Sequence, residues 1–336
     1  MNHRLLLVTP TFHGYWRNIG AAFEQLGYEV TVHRYDAHDS LVSRTRHHLT
    51  AELPRRLGRS TETFQRRLLT TAAIQAARRA HPDVTLVVKG DLLDPDFHDA
   101  LGTGPRVLWL YDELRRTHHT AESVGAYDGV ASYSHLDVAT LKAARDNVSY
   151  VPLAFDPADT PTPRPGPDCV FVGARYPKRA TLLTSLWQAG IPVRAYGRDW
   201  SVHVADRLRT WSWPRPDLPA GRDLPRPEAY AVMAGAPATI NIHGDQDGFT
   251  MRTFEAAGVG GVQFVDRDDV SDLYEPGTEI ATFSSVDALV DLCQRAIADR
   301  AWGDRLRAAG RARTLAQHTL RHRAKELERL WHSNTP

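Results

Sequence analysis

The sequence predicts an α/β protein made of two Rossmann-like domains. The chain has 336 residues, which suits two domains better than one. Short aliphatic and β-branched runs alternate with stretches of helical periodicity, the rhythm from which parallel sheets are built. Residues 155–168 are dense in proline and glycine and divide that rhythm in two, so they read as a linker.

In the first half, Leu5-Leu6-Leu7-Val8 is a buried-strand signal, followed by a loop over residues 9–15 that holds Pro10 and Gly14. Ile19, Ala22, Phe23 and Leu26 give a helical face that Gly27 is placed to end. Residues 28–33 read as the second strand. Residues 41–80 are Arg-rich and helical in pattern, with their charges on a solvated face. Three further strands end at Lys89-Gly90, at Tyr111-Asp112-Glu113 and at Tyr133-Ser134. Residues 149–151 close this half.

In the second half, strands are expected at 169–172, 193–196, 238–242 and 261–265. Helices are expected at 178–189, 227–235, 250–258, 286–298 and 301–314, with a final helix from 318 to 331. Residues 213–227 read as loop. The pairs Trp109/Tyr111 and Trp211/Trp213 look like alternating strand aromatics that pack in a core or on a sheet face.

Composition narrows the function. The formal net charge is +1, with 42% hydrophobic and 24% charged residues. That balance is not the footprint of a nucleic-acid binder, although a local patch can still suit an anionic acceptor. Cys169 and Cys293 have neither a redox nor a zinc spacing and lie in apolar contexts, so buried thiols in a reduced compartment are expected. The N-terminus lacks the pattern of a signal peptide, and no run is long enough to span a bilayer. A cytoplasmic location is the resulting expectation. Monomer and homodimer both remain open.

The segment richest in chemistry runs from Ile240 to Gly261. A strand ends in a polar loop, His243-Gly244-Asp245-Gln246-Asp247-Gly248-Phe249, and a helix starts at Thr250-Met251-Arg252. Such a helix start attracts anions through its amides and dipole. A diphosphate is a suitable occupant, and Arg252 can add a charge-assisted bond. Glu255 lies three residues on and shares a face with Arg252, where its carboxylate can accept ribose hydroxyls. Asp247 caps the helix or contacts a sugar, and the two are compatible. His243 either touches the ligand or is a hydrogen-bonded structural histidine. A second cationic cluster, Arg175, Lys178 and Arg179, follows the strand ending near Gly173.

These residues resemble the C-terminal lobe of GT-B glycosyltransferases, in particular the CgeB-like (spore maturation protein) group with its DGxxxRxFE motif. The wider retaining group carries two glutamates separated by seven residues, and Asp247 and Glu255 stand at that separation here, with Asp in the first position. Similarity extends to Leu86-Val87-Val88-Lys89-Gly90, Val107-Leu108-Trp109-Leu110-Tyr111-Asp112, Tyr176-Pro177-Lys178-Arg179, Leu273-Tyr274-Glu275-Pro276-Gly277 and His318-Thr319. It is weakest over residues 36–80.

The resemblance implies a GT-B fold with an acceptor domain at 1–154, a linker at 155–168 and a nucleotide-sugar donor domain at 169–315. A terminal helix at 316–336 crosses back to the first domain, and the active site is a cleft between the lobes. It further implies transfer of a sugar from a nucleotide diphosphate to a hydroxyl or amine acceptor, with retention at the anomeric carbon. The nucleotide-sugar is a co-substrate, no further cofactor is expected, and no metal is obligatory. Donor contacts fall on Arg175, Lys178, Arg179, His243, Gly248, Phe249, Thr250, Met251, Arg252 and Glu255. Asp247 contacts the sugar. The acceptor enters near His13, Gly14, Lys89, Asp112 and Glu113, with Asp112 available as a base. Two other readings remain: a nucleotide-sugar 2-epimerase of the same fold and a non-catalytic nucleotide-sugar binding module.

Overall fold

Leu5, Leu6, Leu7 and Val8 form the middle of the first strand, β1 (Arg4–Thr9), and all four side chains are buried. A strand covered on both faces reads as a continuous apolar run, as parallel strands do. The computed structural model describes residues 3–37 and 62–332. It divides into two units, residues 1–152 with 320–336 and residues 153–319.

In the first unit β1 pairs in parallel with β2 (Glu29–Arg34) on one side and β3 (Val84–Val88) on the other. The sheet continues through β4 (Arg106–Leu110), β5 (Gly129–Ser132) and β6 (Val148–Tyr150), giving the order β2-β1-β3-β4-β5-β6. The chain reverses its direction of travel between β1 and β3, which is the switch point where open α/β sheets bind ligands. The helix Tyr15–Glu24 follows β1, and Gly27, at φ 92°, takes the left-handed conformation that lets the chain turn into β2. Of the helix expected over 41–80, Glu62–Ala80 is helical, and the earlier part lies outside the described residues.

The helix Leu320–His332 completes this unit. Its apolar stripe of Leu320, Ala324, Leu327, Leu330 and Trp331 is buried. Trp331 lies against Phe23 and Tyr28, and its indole N–H donates to the Tyr28 hydroxyl at 3.2 Å. The Tyr28 hydroxyl in turn donates to Glu328 at 2.7 Å. Burial together with that carboxylate pushes Tyr28 up to about 12.

The second unit has its own parallel sheet, in the order β12-β11-β10-β7-β8-β9. Its strands are β7 (Cys169–Val172), β8 (Val193–Tyr196), β9 (Ala220–Gly221), β10 (Thr239–Asn241), β11 (Gln263–Val265) and β12 (Ala281–Thr282). The chain runs outward from β7 to β9, returns to β10 on the other side and continues to β12, so the switch point lies between β7 and β10. β9 and β12 are two residues each, too short to show a period in the sequence. Cys169 and Cys293 are both fully buried free thiols, and the hydrogen bond with Cys169, together with burial, pushes the Cys293 thiol up.

Three expectations change. Residues 155–168 are packed on the second unit: Phe155 is 1% exposed and its N–H bonds to the His318 carbonyl at 3.0 Å, while the Arg164 N–H bonds to Ala231 O at 2.8 Å. Proline and glycine mark this stretch as irregular, and irregular chain can be fixed by its side chains and amides as firmly as a helix. The last helix starts at Leu320 rather than 316, because Arg300–Gln317 is one continuous helix ending at His318. Trp109 and Tyr111 are buried as expected, but Trp211 and Trp213 are not in a strand and stand 83% and 54% exposed.

Candidate functional site

Arg179 spans the switch point of the second sheet. It sits in the first turn of the helix Pro177–Gln188 that follows β7. Its Nε donates to the carbonyl of Ile242, just past β10, at 2.8 Å, and its Nη1 donates to the carbonyl of Ala174, just past β7, at 3.0 Å. The guanidinium also lies over the rings of Tyr176 and Phe171, at 4.9 and 5.3 Å. Partial burial lowers its pKa from the ordinary arginine value. Nη2 has no protein hydrogen bond among the described residues. The side chain is therefore anchored on two strand ends with one N–H₂ group remaining.

The helix Met251–Gly258 begins on the other side of the same switch. Its N-cap is Thr250, whose hydroxyl makes no capping bond. The outer positions Thr250, Met251 and Arg252 are half-buried, whereas Thr253 to Gly258 are buried. Arg252 and Glu255 meet as their spacing requires, with Arg252 Nη1 2.9 Å from Glu255 Oε2. Glu255 itself is 1% exposed, and its other oxygen accepts a 2.6 Å hydrogen bond from the Tyr230 hydroxyl. Tyr230 lies on the helix Arg226–Gly235 and is 2% exposed. Tyr230 thus holds one oxygen of Glu255 and Arg252 pairs with the other.

The loop between β10 and this helix is held from below by Asp266 and Arg267, which follow β11. One oxygen of Asp266 accepts from the His243 backbone N–H and faces His243 Nδ1, both at 2.9 Å; the other accepts from Lys178 Nζ at 2.5 Å. His243 Nε2 lies 3.2 Å from the Thr253 hydroxyl. Burial raises Asp266, but the bonds from His243 and Lys178 prevail and hold it at about 2. His243 is 1% exposed, and burial lowers its pKa below the usual value. Both of its ring nitrogens are occupied, which is the structural of its two readings. Arg267 donates to the Gln246 carbonyl at 2.9 Å and lies 4.2 Å over the Phe249 ring. Burial would lower the Arg267 pKa; ion pairing with Asp269 and the fields of Asp247 and Asp266 raise it instead. Gly248 and Phe249 are buried, and Asp247 is half-buried at the loop's outer side.

The second cationic cluster separates. Arg179 sits at the switch, and Lys178 beside it is committed to Asp266. Arg175 turns away and donates to Pro214 O and the Ser212 hydroxyl, both at 3.2 Å.

In the first unit, His13 and Gly14 follow β1 with left-handed φ of 48° and 79°, and His13 is exposed. Lys89, after β3, is also left-handed at φ 63°. Such conformations in bulky residues are sparsely populated and cluster at functional sites. Lys89 Nζ lies 3.4 Å from Asp112 Oδ2. The Lys89 carbonyl accepts a 2.6 Å bond from His119 Nε2. Glu113 does not stand beside them as an open carboxylate: it is 1% exposed and pairs with Arg115 and Arg116 at 2.7 and 3.3 Å.

Tyr230, Asp266 and Arg267 were not among the residues singled out from the sequence. Each reaches its partner across more than twenty residues, which no local pattern reveals.

Residues 178–329 match the sequence profile of a family described as glycosyl transferase-like. No curated protein matches the chain. Among solved structures, sucrose-phosphate synthase from Thermosynechococcus elongatus is 13% identical, with a TM-score of 0.63 over 99% of this chain and 99% of that one. AviGT4, a glycosyltransferase involved in Avilamycin A biosynthesis, is 14% identical, with a TM-score of 0.64 over 98% and 97% of the two chains. Alr3699/HepE of Anabaena, solved in complex with UDP-glucose, is 12% identical, with a TM-score of 0.64 over 99% and 100%. Among the described residues, no helix is long and apolar enough to cross a membrane. The chain thus has the GT-B fold, and its residues 178–329 are similar to the family described as glycosyl transferase-like.

Proposed function

We propose that the protein transfers a sugar from a nucleotide diphosphate to a hydroxyl or amine acceptor. The observation that carries this reading is the β7/β10 switch point, where Arg179 is anchored on both strand ends beside the start of the Met251–Gly258 helix. A diphosphate there meets the Nη2 group of Arg179, the positive end of the helix dipole and Arg252. The solved complex of Alr3699/HepE with UDP-glucose, a protein of the same fold, supports a nucleotide-sugar as the ligand class.

In this proposal Glu255 serves the ribose with one oxygen. Tyr230 keeps Oε1, and Oε2 accepts a ribose hydroxyl as the Arg252 guanidinium turns to the diphosphate. Asp247, at the outer side of the loop, contacts the sugar. The first unit receives the acceptor at His13 and Gly14 and at the Lys89–Asp112 pair, with Asp112 as the base. Charge developing on the departing diphosphate is met by fixed cations and a helix dipole, an electrostatic stabilisation that needs no metal. The Asp247/Glu255 spacing supports assignment to the retaining, CgeB-like group.

The test is incubation of the chain with UDP-, GDP- and TDP-sugars, followed by proton NMR. Release of nucleotide diphosphate with the sugar's anomeric configuration kept supports the proposal. Turnover of none of them, with or without candidate acceptors, contradicts it.

A further inference from the structure

One helix holds both members of the Arg252–Glu255 pair. Tyr230 and Met233 lie three residues apart on the helix Arg226–Gly235, and Arg252 and Glu255 lie three residues apart on the helix Met251–Gly258. Each pair therefore occupies one face of its helix. The Tyr230 hydroxyl donates to Glu255 Oε1 at 2.6 Å, the length of a charge-assisted O–H···O bond to a carboxylate. The Met233 sulfur lies 3.7 Å from Arg252 Nη1, the same nitrogen that stands 2.9 Å from Glu255 Oε2. The two helices thus meet at a phenol–carboxylate bond and at a sulfur–guanidinium contact.

The helix that carries Tyr230 is itself braced. Arg226 at its start pairs with Asp159 at 2.9 Å. The Ala231 carbonyl accepts from the Arg164 N–H at 2.8 Å, and the Ala234 carbonyl accepts from Arg307 Nη1 at 2.9 Å. The Tyr230 ring packs against Phe155, with centroids 6.0 Å apart. Phe155 also touches the end of the helix Met251–Gly258, where a Cβ added at Gly258 would lie 2.4 Å from its ring. The phenol therefore reaches Glu255 from a fixed position.

Packing alone does not explain a carboxylate here. Glu255 is 1% exposed, and a buried acid costs stability that an apolar side chain of similar volume would not. A buried acceptor held in place by a donor suits a ligand that brings hydroxyl groups to it. We propose that Tyr230 is a positioning residue through which Glu255 reads the ribose hydroxyls, so that the site selects nucleotides with an intact ribose. Tyr230 does not touch the ligand; its bond to Oε1 limits the rotation of the carboxylate and so sets where Oε2 meets the sugar. A ribose lacking the hydroxyl leaves a buried acceptor without its donor, which is the strongest form of discrimination by a hydrogen bond. The inference rests on the nucleotide-sugar reading of the β7/β10 switch and adds which part of the nucleotide is discriminated.

The test is titration calorimetry of the full chain with UDP and GDP and with the 2′-deoxy and 3′-deoxy forms of each. The wild type is expected to bind at least one deoxy form about tenfold or more weakly than its parent nucleotide. In Tyr230→Phe the parent nucleotide is expected to lose about tenfold, while that deoxy form binds nearly as it does to the wild type, so the ratio falls to about threefold or less. A merely structural role would weaken all of them by the same factor and leave the ratio unchanged. Circular dichroism and thermal unfolding check that the variant folds. An unchanged ratio in the folded variant overturns the proposal. So does equal binding of parent and both deoxy forms by the wild type, a result that depends on no variant and leaves the nucleotide reading standing. Binding of no nucleotide at all overturns that reading and this inference with it.

Discussion

The Tyr230 hydroxyl donates to Glu255 Oε1 at 2.6 Å in a place where both residues are at most 2% exposed. A buried carboxylate needs such a donor, because an unsatisfied charged acceptor retains its desolvation cost. Tyr230→Phe removes the donor and keeps the ring. It is expected to lower the unfolding free energy by about 1.5–3 kcal/mol, read from urea unfolding, and an unchanged urea midpoint would contradict the assignment.

Arg252 and Glu255 form one ion pair, so their contributions to ligand binding are expected to be coupled. Arg252→Ala and Glu255→Ala should each weaken nucleotide-sugar binding, and the double variant should lose more than the separate losses combined, because each single variant is already spared the breaking of the ion pair that binding requires. A coupling energy of about 1–2 kcal/mol is expected, measured by a double-mutant cycle in titration calorimetry. Strict additivity would mean that the two side chains act separately.

The His243–Asp266 pair predicts acid sensitivity in two steps. Burial lowers the folded pKa of His243 below its ordinary 6.5, so the unfolded chain takes up that proton first and stability is lost as pH falls below 6.5. Asp266 is held at about 2 against an ordinary 3.8, so its contribution is present above 3.8 and is lost as pH falls from there towards 2. Each step has a limiting slope of about 1.4 kcal/mol per pH unit. Unfolding free energies measured from pH 7 down to pH 3 should show the first loss and the onset of the second. Asp266→Asn should abolish the second. A flat profile in the wild type would contradict both shifts.

The C-terminal helix is part of the first unit's core. Trp331, 4% exposed against Phe23 and Tyr28, is expected to cost about 3–5 kcal/mol on replacement by alanine. Gly129 faces Leu330 so closely that an added Cβ would lie 3.0 Å from the Leu330 Cβ. Gly129→Ala should therefore destabilise the unit as well, through displacement of the helix. Thermal unfolding of both variants checks this, and wild-type stability in either would show that the helix is only loosely applied.

The α/β character and both parallel sheets were legible in the sequence because their central strands are uninterrupted apolar runs. Leu5 to Val8 and residues 169–172 are examples, each followed by helical periodicity. The segment from Ile240 to Gly258 was legible for the same reason: a strand, a polar loop and a helix start succeed one another within nineteen residues. The partners of that segment were not. Tyr230, Asp266 and Arg267 lie on other elements, and their roles arise only when strand order places them together. Trp211 and Trp213 misled because spacing by two is shared by strands and extended loops, and only the fold shows that these indoles face outward. The separation of Arg175 from Arg179 was not legible either, since nearness in sequence does not decide which way a side chain turns.

The central claim is that a nucleotide diphosphate sits at the β7/β10 switch of the second unit against Arg179. Titration calorimetry of the full chain with UDP, GDP and TDP, alone and as sugar conjugates, tests it directly when repeated with Arg179→Ala. Micromolar binding of one nucleotide, weakened at least about tenfold in the variant, is the predicted result. Binding of none of them, or binding that the folded variant retains unchanged, would contradict the claim.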